Sequence, residues 1–227
     1  MDTIDARWHT AAGDFILVDT AGIRRQAHFS DQSEFFATLR ALQALERADI
    51  ACLVVDATEG FQNQDARLAQ QAFDAGRSVL LIYNKWDLIE GRDQRWKDLA
   101  EERERRYPSL ADLPAIAVSA TVGTHMHRLP GLVRERYQQA SRRIPTAQLN
   151  RWLKTVQLKR QVPSTKLGRE PKLYYVTQTG SRPPEFTVFA NAPDRLNTTY
   201  RRFLWSQLAD TFDFRGTPLR LRFRKSE

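Results

Sequence analysis

Two kinds of hydrophobic pattern alternate along the chain. Short apolar runs bounded by turn residues are separated by stretches in which apolar positions return every three or four residues. The first kind predicts strands and the second helices. Thr3–His9 and Asp14–Asp19 read as strands, and Ala11-Ala12-Gly13 between them predicts a hairpin. Residues 33–47 carry apolar side chains at 35, 36, 39, 42 and 45, which is helical spacing. Ile50–Asp56 is a nearly continuous apolar run, the pattern of a strand covered on both faces. A helix over Asn63–Ala75, closed by Gly76, leads to a second such strand at Val79–Asn84. A highly charged helix (Asp93–Tyr107), a short strand (Ala115–Ser119) and a helix (Leu129–Arg142) complete this part. Alternating strands and helices predict an α/β fold with a mainly parallel sheet, whose ligands lie beyond the carboxyl ends of the strands.

Arg142-Arg143-Ile144-Pro145 marks a boundary, so residues 1–143 and 144–227 are expected to form separate domains. The second part reads as a helix (Thr146–Leu158), a polar loop, two strands (Lys172–Gln178 and Glu185–Asn191), a helix (Thr198–Phe212) and a last strand (Pro218–Arg224). That is a small α+β domain with three strands.

Charge separates the two parts. Residues 1–143 hold 19 Lys and Arg against 21 Asp and Glu, while residues 144–227 hold 16 against 6, giving −2 and +10 of the total +8. A basic domain of this size points to a polyanion, most simply nucleic acid, although a solvated basic surface would have the same composition. Apolar runs such as Val79–Tyr83 are far too short to span a membrane, and the first residues lack the pattern of a signal peptide. One cysteine, Cys52, fits a reducing compartment and hence the cytoplasm.

Three short motifs follow apolar strands. Asp19-Thr20-Ala21-Gly22 follows FILV. An Asp at that place can hold Mg²⁺ through water, and the Gly lets a backbone N–H approach a terminal phosphate. A simple turn with an N-cap would look the same. Asn84-Lys85-Trp86-Asp87 follows VLLIY. There a carboxylate can accept from the two adjacent N–H donors of guanine, a pair adenine lacks. The Lys stem can lie along the base, and the Asn can brace the neighbouring loop. A polar turn capped by Asp is the plainer alternative. Ser119-Ala120 follows AIAV, where an exposed backbone N–H can meet the guanine carbonyl. The first and third motifs are weak alone and N-K-x-D after an apolar strand is stronger; their order and shared strand context make a guanine-nucleotide site the preferred reading.

With these motifs in hand, the chain resembles the bacterial Der (EngA) GTPases, whose members carry two GTPase domains and a KH-like domain and act in assembly of the large ribosomal subunit. The resemblance rests on DTAGIRR (Asp19–Arg25), ADIACLVVDATEG (Ala48–Gly60), YNKWD (Tyr83–Asp87) and Ser119-Ala120. In the tail it rests on Lys172–Asn191, Tyr200–Leu208 and Phe214–Arg224. It implies a partial Ras-like P-loop GTPase domain followed by a KH-like domain, with GTP or GDP and Mg²⁺ as ligands. Asp19 and Gly22 would sit by Mg²⁺ and the γ-phosphate. Asn84, Lys85 and Asp87 would hold guanine, with Ser119 and Ala120 closing over it. Ile23 stands where many GTPases place a water-orienting Gln, so the catalytic residues are not identified. Era-type GTPases are a poorer match, because they resemble DTPG at the first motif and carry G-x-x-G.

The chain departs from the family in one large respect. It contains no G-x-x-x-x-G-K-[ST], the loop that supplies backbone N–H groups and a Lys to the phosphates. The switch Thr of the Mg²⁺ shell is also absent, and the sequence begins about where that segment would end. In the family fold the strand before this loop lies between the strands corresponding to Phe15–Val18 and Cys52–Val55. The expectation is therefore a fragment holding the guanine-reading half of a site, with weak GTP binding and negligible hydrolysis. The alternative is a non-enzymatic ribosome- or rRNA-docking module with a vestigial nucleotide site.

In the basic part, Arg201, Arg202, Arg220, Arg222, Arg224 and Lys225 are candidate rRNA contacts. Arg220, Arg222 and Arg224 alternate along one strand and so share a face. Without a G-x-x-G loop, phosphate or shape contacts are expected rather than the usual KH reading of single strands. His125 and His127 form an H-x-H without further ligands and read as loop residues, Cys52 as an inert core residue, and the chain as a monomer.

Overall fold

The computed structural model describes residues 5–18, 44–162 and 171–226. The chain divides into two units, Met1–Gln138 and Gln139–Glu227.

The first unit opens with an antiparallel hairpin of β1 (Asp5–Thr10) and β2 (Gly13–Val18). Its turn needs Gly13: φ is +127°, and a Cβ there would stand 2.5 Å from the Arg134 Nη1. Thr10 Oγ1 donates to the Gly13 carbonyl at 2.8 Å and accepts from the Ala12 N–H at 3.2 Å, which closes the turn. Residues 44–47 are helical and match the end of the helix expected over 33–47; the rest of that helix lies outside the described residues.

Three parallel strands follow in spatial order β3 (Ile50–Asp56), β4 (Ser78–Asn84), β5 (Ala115–Ala117). Helix α1 (Asn63–Asp74) connects β3 to β4, α2 (Arg92–Arg106) connects β4 to β5, and α3 (Leu129–Ser141) follows β5. Every residue of β4 from Ser78 to Tyr83 is buried, as its unbroken apolar run requires. Val79, Leu81 and Tyr83 face one cluster with Ala66 and Ala69 of α1 and Leu99 of α2. Leu80 and Ile82 face the other with Ile116, Val118 and Leu129, against which Trp8 of the hairpin packs.

The reading of β3 as covered on both faces is corrected. Val55 is fully buried, but Val54 is 51% exposed and Cys52 is exposed as well. On β2, Ile16 and Leu17 are likewise exposed. The cause is topological. Among the described residues β2 and β3 belong to different sheets, and neither has a hydrogen-bonded neighbour on its second edge. The two strands do not close up by pairing directly.

The second unit contains α4 (Thr146–Lys159), β6 (Leu173–Gly180), β7 (Glu185–Ala190), α5 (Thr198–Thr211) and β8 (Arg220–Lys225). Central β7 pairs antiparallel with β6 and parallel with β8. Both helices cover one face of this sheet. Leu149, Trp152 and Leu153 of α4 and Tyr200, Leu204 and Leu208 of α5 meet Val176, Phe186 and Val188 in one core. The Asn150 side chain stitches α4 to β6, accepting from the Val176 N–H at 2.9 Å and donating to the Thr146 carbonyl at 2.8 Å. Asn197 caps α5 by accepting from the Tyr200 N–H at 2.7 Å. No helix among the described residues is long and apolar enough to cross a membrane.

Candidate functional site

Parallel register brings the strand ends together. Asp56 pairs with Asn84, and Tyr83 with Ala117, so the loops after β3, β4 and β5 leave the sheet side by side. Backbone bonds lock them: the Ala57 N–H donates to the Asn84 carbonyl (2.9 Å), Val118 N–H to Tyr83 (2.8 Å) and Trp86 N–H to Val118 (3.0 Å). The Arg95 guanidinium of α2 adds bonds to the Ala57 and Thr58 carbonyls at 2.9 and 3.2 Å.

On this frame the loops that carry Asn84, Lys85 and Asp87 and Ser119 and Ala120 lie side by side. Asn84 Oδ1 accepts from the Ala120 N–H at 3.0 Å, which is the bracing role expected of that Asn. Ser119 is fully buried and pins its own loop: Oγ accepts from the Val122 N–H at 3.1 Å. The two members of this pair therefore divide the work, Ser119 shaping the loop and Ala120 presenting it to Asn84. Trp86, counted with the motif from sequence, turns its ring inward. It is 6% exposed and meets Trp96 edge to face with centroids 6.1 Å apart. Its role is to anchor the loop. Lys85 adopts the left-handed conformation at φ 64°, an uncommon state for a side chain of this kind and one that functional loops retain.

Asp87 carries the most informative atom. Its Oδ1 is sealed from solvent and has no hydrogen-bond partner. A carboxylate oxygen left so is costly unless a donor arrives. The Asp87 side chain as a whole is half-buried, and a carboxylate there has the acceptor chemistry that a ligand edge with two adjacent N–H groups, as in guanine, calls for. The other half of the proposed site, Asp19, Thr20, Ala21, Gly22 and Ile23, lies outside the described residues, and with it the proposed Mg²⁺ ligand.

Sequence reasoning missed one member. Asp56, at the end of β3, pairs with Lys85 Nζ at 2.5 Å and accepts from the Thr58 N–H and Oγ at 2.9 and 2.7 Å. Burial would raise its carboxyl, but Lys85 and Thr58 outweigh it and hold the pKa down to about 2. An acid closing an apolar strand, followed by Ala-Thr, was the available signal. Because the folded value is below the ordinary one, the stabilisation is complete above about pH 4 and is lost as pH falls towards 2. A carbon-detected NMR titration should place the Asp56 midpoint near 2; an ordinary carboxylate midpoint would show that Lys85 is not held there. His125 serves the adjacent loop, its Nδ1–H donating to the Ala117 carbonyl at 2.9 Å.

In the second unit the basic candidates separate. Arg220, Arg222 and Arg224 are exposed on one face of β8, with Lys225 exposed beyond them. Arg222 Nε reaches Glu185 Oε1 at 3.1 Å. Arg202 is exposed on α5. Arg201 differs: it donates to the Leu196 and Pro193 carbonyls at 3.0 and 2.8 Å and lies 4.9 Å over the Phe223 ring. Phe223 packs on the core side of β8, so Arg201 is on the opposite face from the arginine stripe, and two of its N–H donors are already used.

Residues 6–166 match the elongation factor Tu GTP binding domain, and residues 143–224 match the KH-domain-like C-terminal domain of EngA bacterial GTPase enzymes. GTPase Der of Caldanaerobacter subterraneus subsp. tengcongensis is 37% identical over 224 residues, covering 99% of this chain and 51% of its own. GTPase Der of Clostridium novyi is 37% identical over 225 residues, with 99% and 51% covered. The chain belongs to the Der (EngA) family. It spans about half the length of the curated Der relatives it matches. Among solved structures, Era in complex with MgGDPNP and a segment of 16S ribosomal RNA aligns with a TM-score of 0.51 at 17% identity, covering 98% of this chain and 80% of that one. Aquifex aeolicus Era bound to GDP and AlF₄⁻ gives 0.50 at 18%, covering 99% and 81%. At this identity the likeness shows the fold alone: a GTPase-like α/β unit with a parallel sheet and a KH-like unit.

Proposed function

We propose that the chain supplies the guanine-reading half of a Der-type GTPase that acts in assembly of the large ribosomal subunit in the cytoplasm. The observation that carries this reading is the Asp87 carboxylate, buried at one oxygen and unpartnered beside an Asn84–Ala120 brace. Asp87 accepts from the two N–H donors of the guanine edge. Asn84 holds the Ser119-Ala120 loop against the base, and the Lys85 stem lies along it. Asp19 and Gly22 serve Mg²⁺ and the phosphates, as the family pattern implies.

Lacking a G-x-x-x-x-G-K-[ST] loop, the monomeric chain binds GTP weakly and hydrolyses it negligibly. A second reading, a docking module with a vestigial nucleotide site, is favoured by the exposed Arg220, Arg222 and Arg224 row. The rRNA segment held by Era, which shares this fold, supports ribosomal RNA as the partner.

An NMR titration of the 227-residue chain separates the two readings. Millimolar GDP should shift the amides of residues 84–87 and 119–120, and ADP should leave them in place. Equal responses to both nucleotides would leave only the docking module. Tight, Mg²⁺-dependent GTP binding would instead show that phosphate contacts survive in this chain.

A further inference from the structure

The sheet of the second unit has one face under helices; on the other, among the described residues, Tyr175, Arg220, Arg222 and Arg224 are exposed, while Phe189 is half-buried and Thr187 buried. On this second face, register places Tyr175, Phe189 and Arg224 in one row across β6, β7 and β8. The Tyr175 and Phe189 rings stack, with centroids 4.4 Å apart and planes 15° from parallel. Tyr175 is 41% exposed, and the register shift between Leu173 and Tyr175 leaves Tyr174 exposed as well. Arg220 and Arg222 continue the row of Arg224 along β8. The acidic Glu185 faces them and pairs with Arg222.

A cross-strand aromatic pair alone supports a sheet and needs no ligand. Here the pair is outside the core, which is complete on the helix side, and it lies beside three aligned guanidinium groups in a part of the chain with net charge +10 from 16 basic and 6 acidic residues. An exposed Tyr175 ring, stacked on the half-buried Phe189 and beside a basic row, matches two chemistries at once: flat bases and a phosphate chain. Duplex RNA hides its base faces and could use only the arginines.

We infer that this face is a stacking platform for single-stranded RNA, with an unpaired base on the Tyr175–Phe189 pair and its phosphates along Arg220, Arg222 and Arg224. The inference rests on the rRNA-docking reading given above and deepens it. It also replaces the expectation of phosphate or shape contacts alone, which the absent G-x-x-G loop suggests.

The test is fluorescence anisotropy of the full 227-residue chain with three labelled probes: a short oligoadenylate, an abasic strand of equal length and charge, and an RNA duplex. Oligoadenylate should bind about tenfold tighter than the abasic strand. Tyr175→Ala and Tyr175→Leu should both remove that advantage while leaving the abasic affinity unchanged. The Leu variant keeps apolar bulk, so a loss in both variants traces to the ring face. Replacing Arg220, Arg222 and Arg224 by Ala should weaken every probe and flatten the salt dependence. If the wild-type chain binds oligoadenylate and the abasic strand equally, or prefers duplex, the platform is wrong while polyanion binding stands. If no RNA binds even at low salt, both readings fall, and an acidic protein surface becomes the partner to seek.

Discussion

Replacing Asp87 by Asn should abolish the guanine preference and transfer it to xanthine. The reason lies in the unpartnered Oδ1. Guanine offers two adjacent N–H donors, and a carboxylate accepts both. An Asn amide offers one acceptor and one donor, so against guanine one of its atoms meets a like partner. Hydrogen bonds to a charged group contribute about 1.5–3 kcal/mol, and a mismatched buried polar atom adds its desolvation cost. GDP affinity should therefore fall at least about thirtyfold. Xanthine presents an N–H beside a carbonyl, the complement of the amide, so the Asp87→Asn chain should bind XDP better than GDP. Such site-built discrimination is stronger than what an apolar pocket achieves. The measurement is competition of GDP, XDP and ADP by NMR line shifts. The control is the Asn84–Ala120 bond, which should leave the Ala120 amide protected in both forms. A variant that loses GDP without gaining XDP would show Asp87 to be a loop support instead.

Legibility varied with how local the cause was. β4 was readable because its apolar run is buried on both sides, and the Asn84 brace was readable because N-K-x-D after such a strand has few other uses. The hairpin followed from Gly13, whose φ of +127° only glycine tolerates well. The exposure of Val54 and Cys52 was not readable from β3 itself, since an apolar strand looks the same whether or not its neighbour exists. Trp86 could not be assigned from its place in the motif, because the side it faces depends on Trp96, a partner on α2. The Asp56–Lys85 pair joins two strand ends through parallel register, and pairing of that kind is set by the sheet, not by sequence spacing. The Tyr175–Phe189 stack is of the same sort: each ring alone is an ordinary strand residue, and the platform exists only once β6, β7 and β8 are in register.

Fusing a strand, a G-x-x-x-x-G-K-[ST] loop and a short helix upstream of Met1 should raise GTP affinity by at least about a thousandfold and make it depend on Mg²⁺. Two separate causes act, and they can be told apart. The loop adds a nest of backbone N–H groups and a Lys to the phosphates, contacts this chain does not encode. The strand supplies hydrogen bonds to the open edges of β2 and β3, between which the family fold places it. It also covers Ile16, Leu17 and Val54, now 64%, 48% and 51% exposed. Covering side chains of this size contributes about 1–2 kcal/mol each, enough to raise the melting temperature by roughly 10 °C in a chain of this length. A fusion whose loop Lys is replaced by Met should keep the thermal gain and lose the nucleotide gain. If neither quantity moves, β2 and β3 are not the two lips of one sheet. The orphan oxygen of Asp87 would then need a ligand other than a nucleotide whose phosphates lie beyond the end of β2.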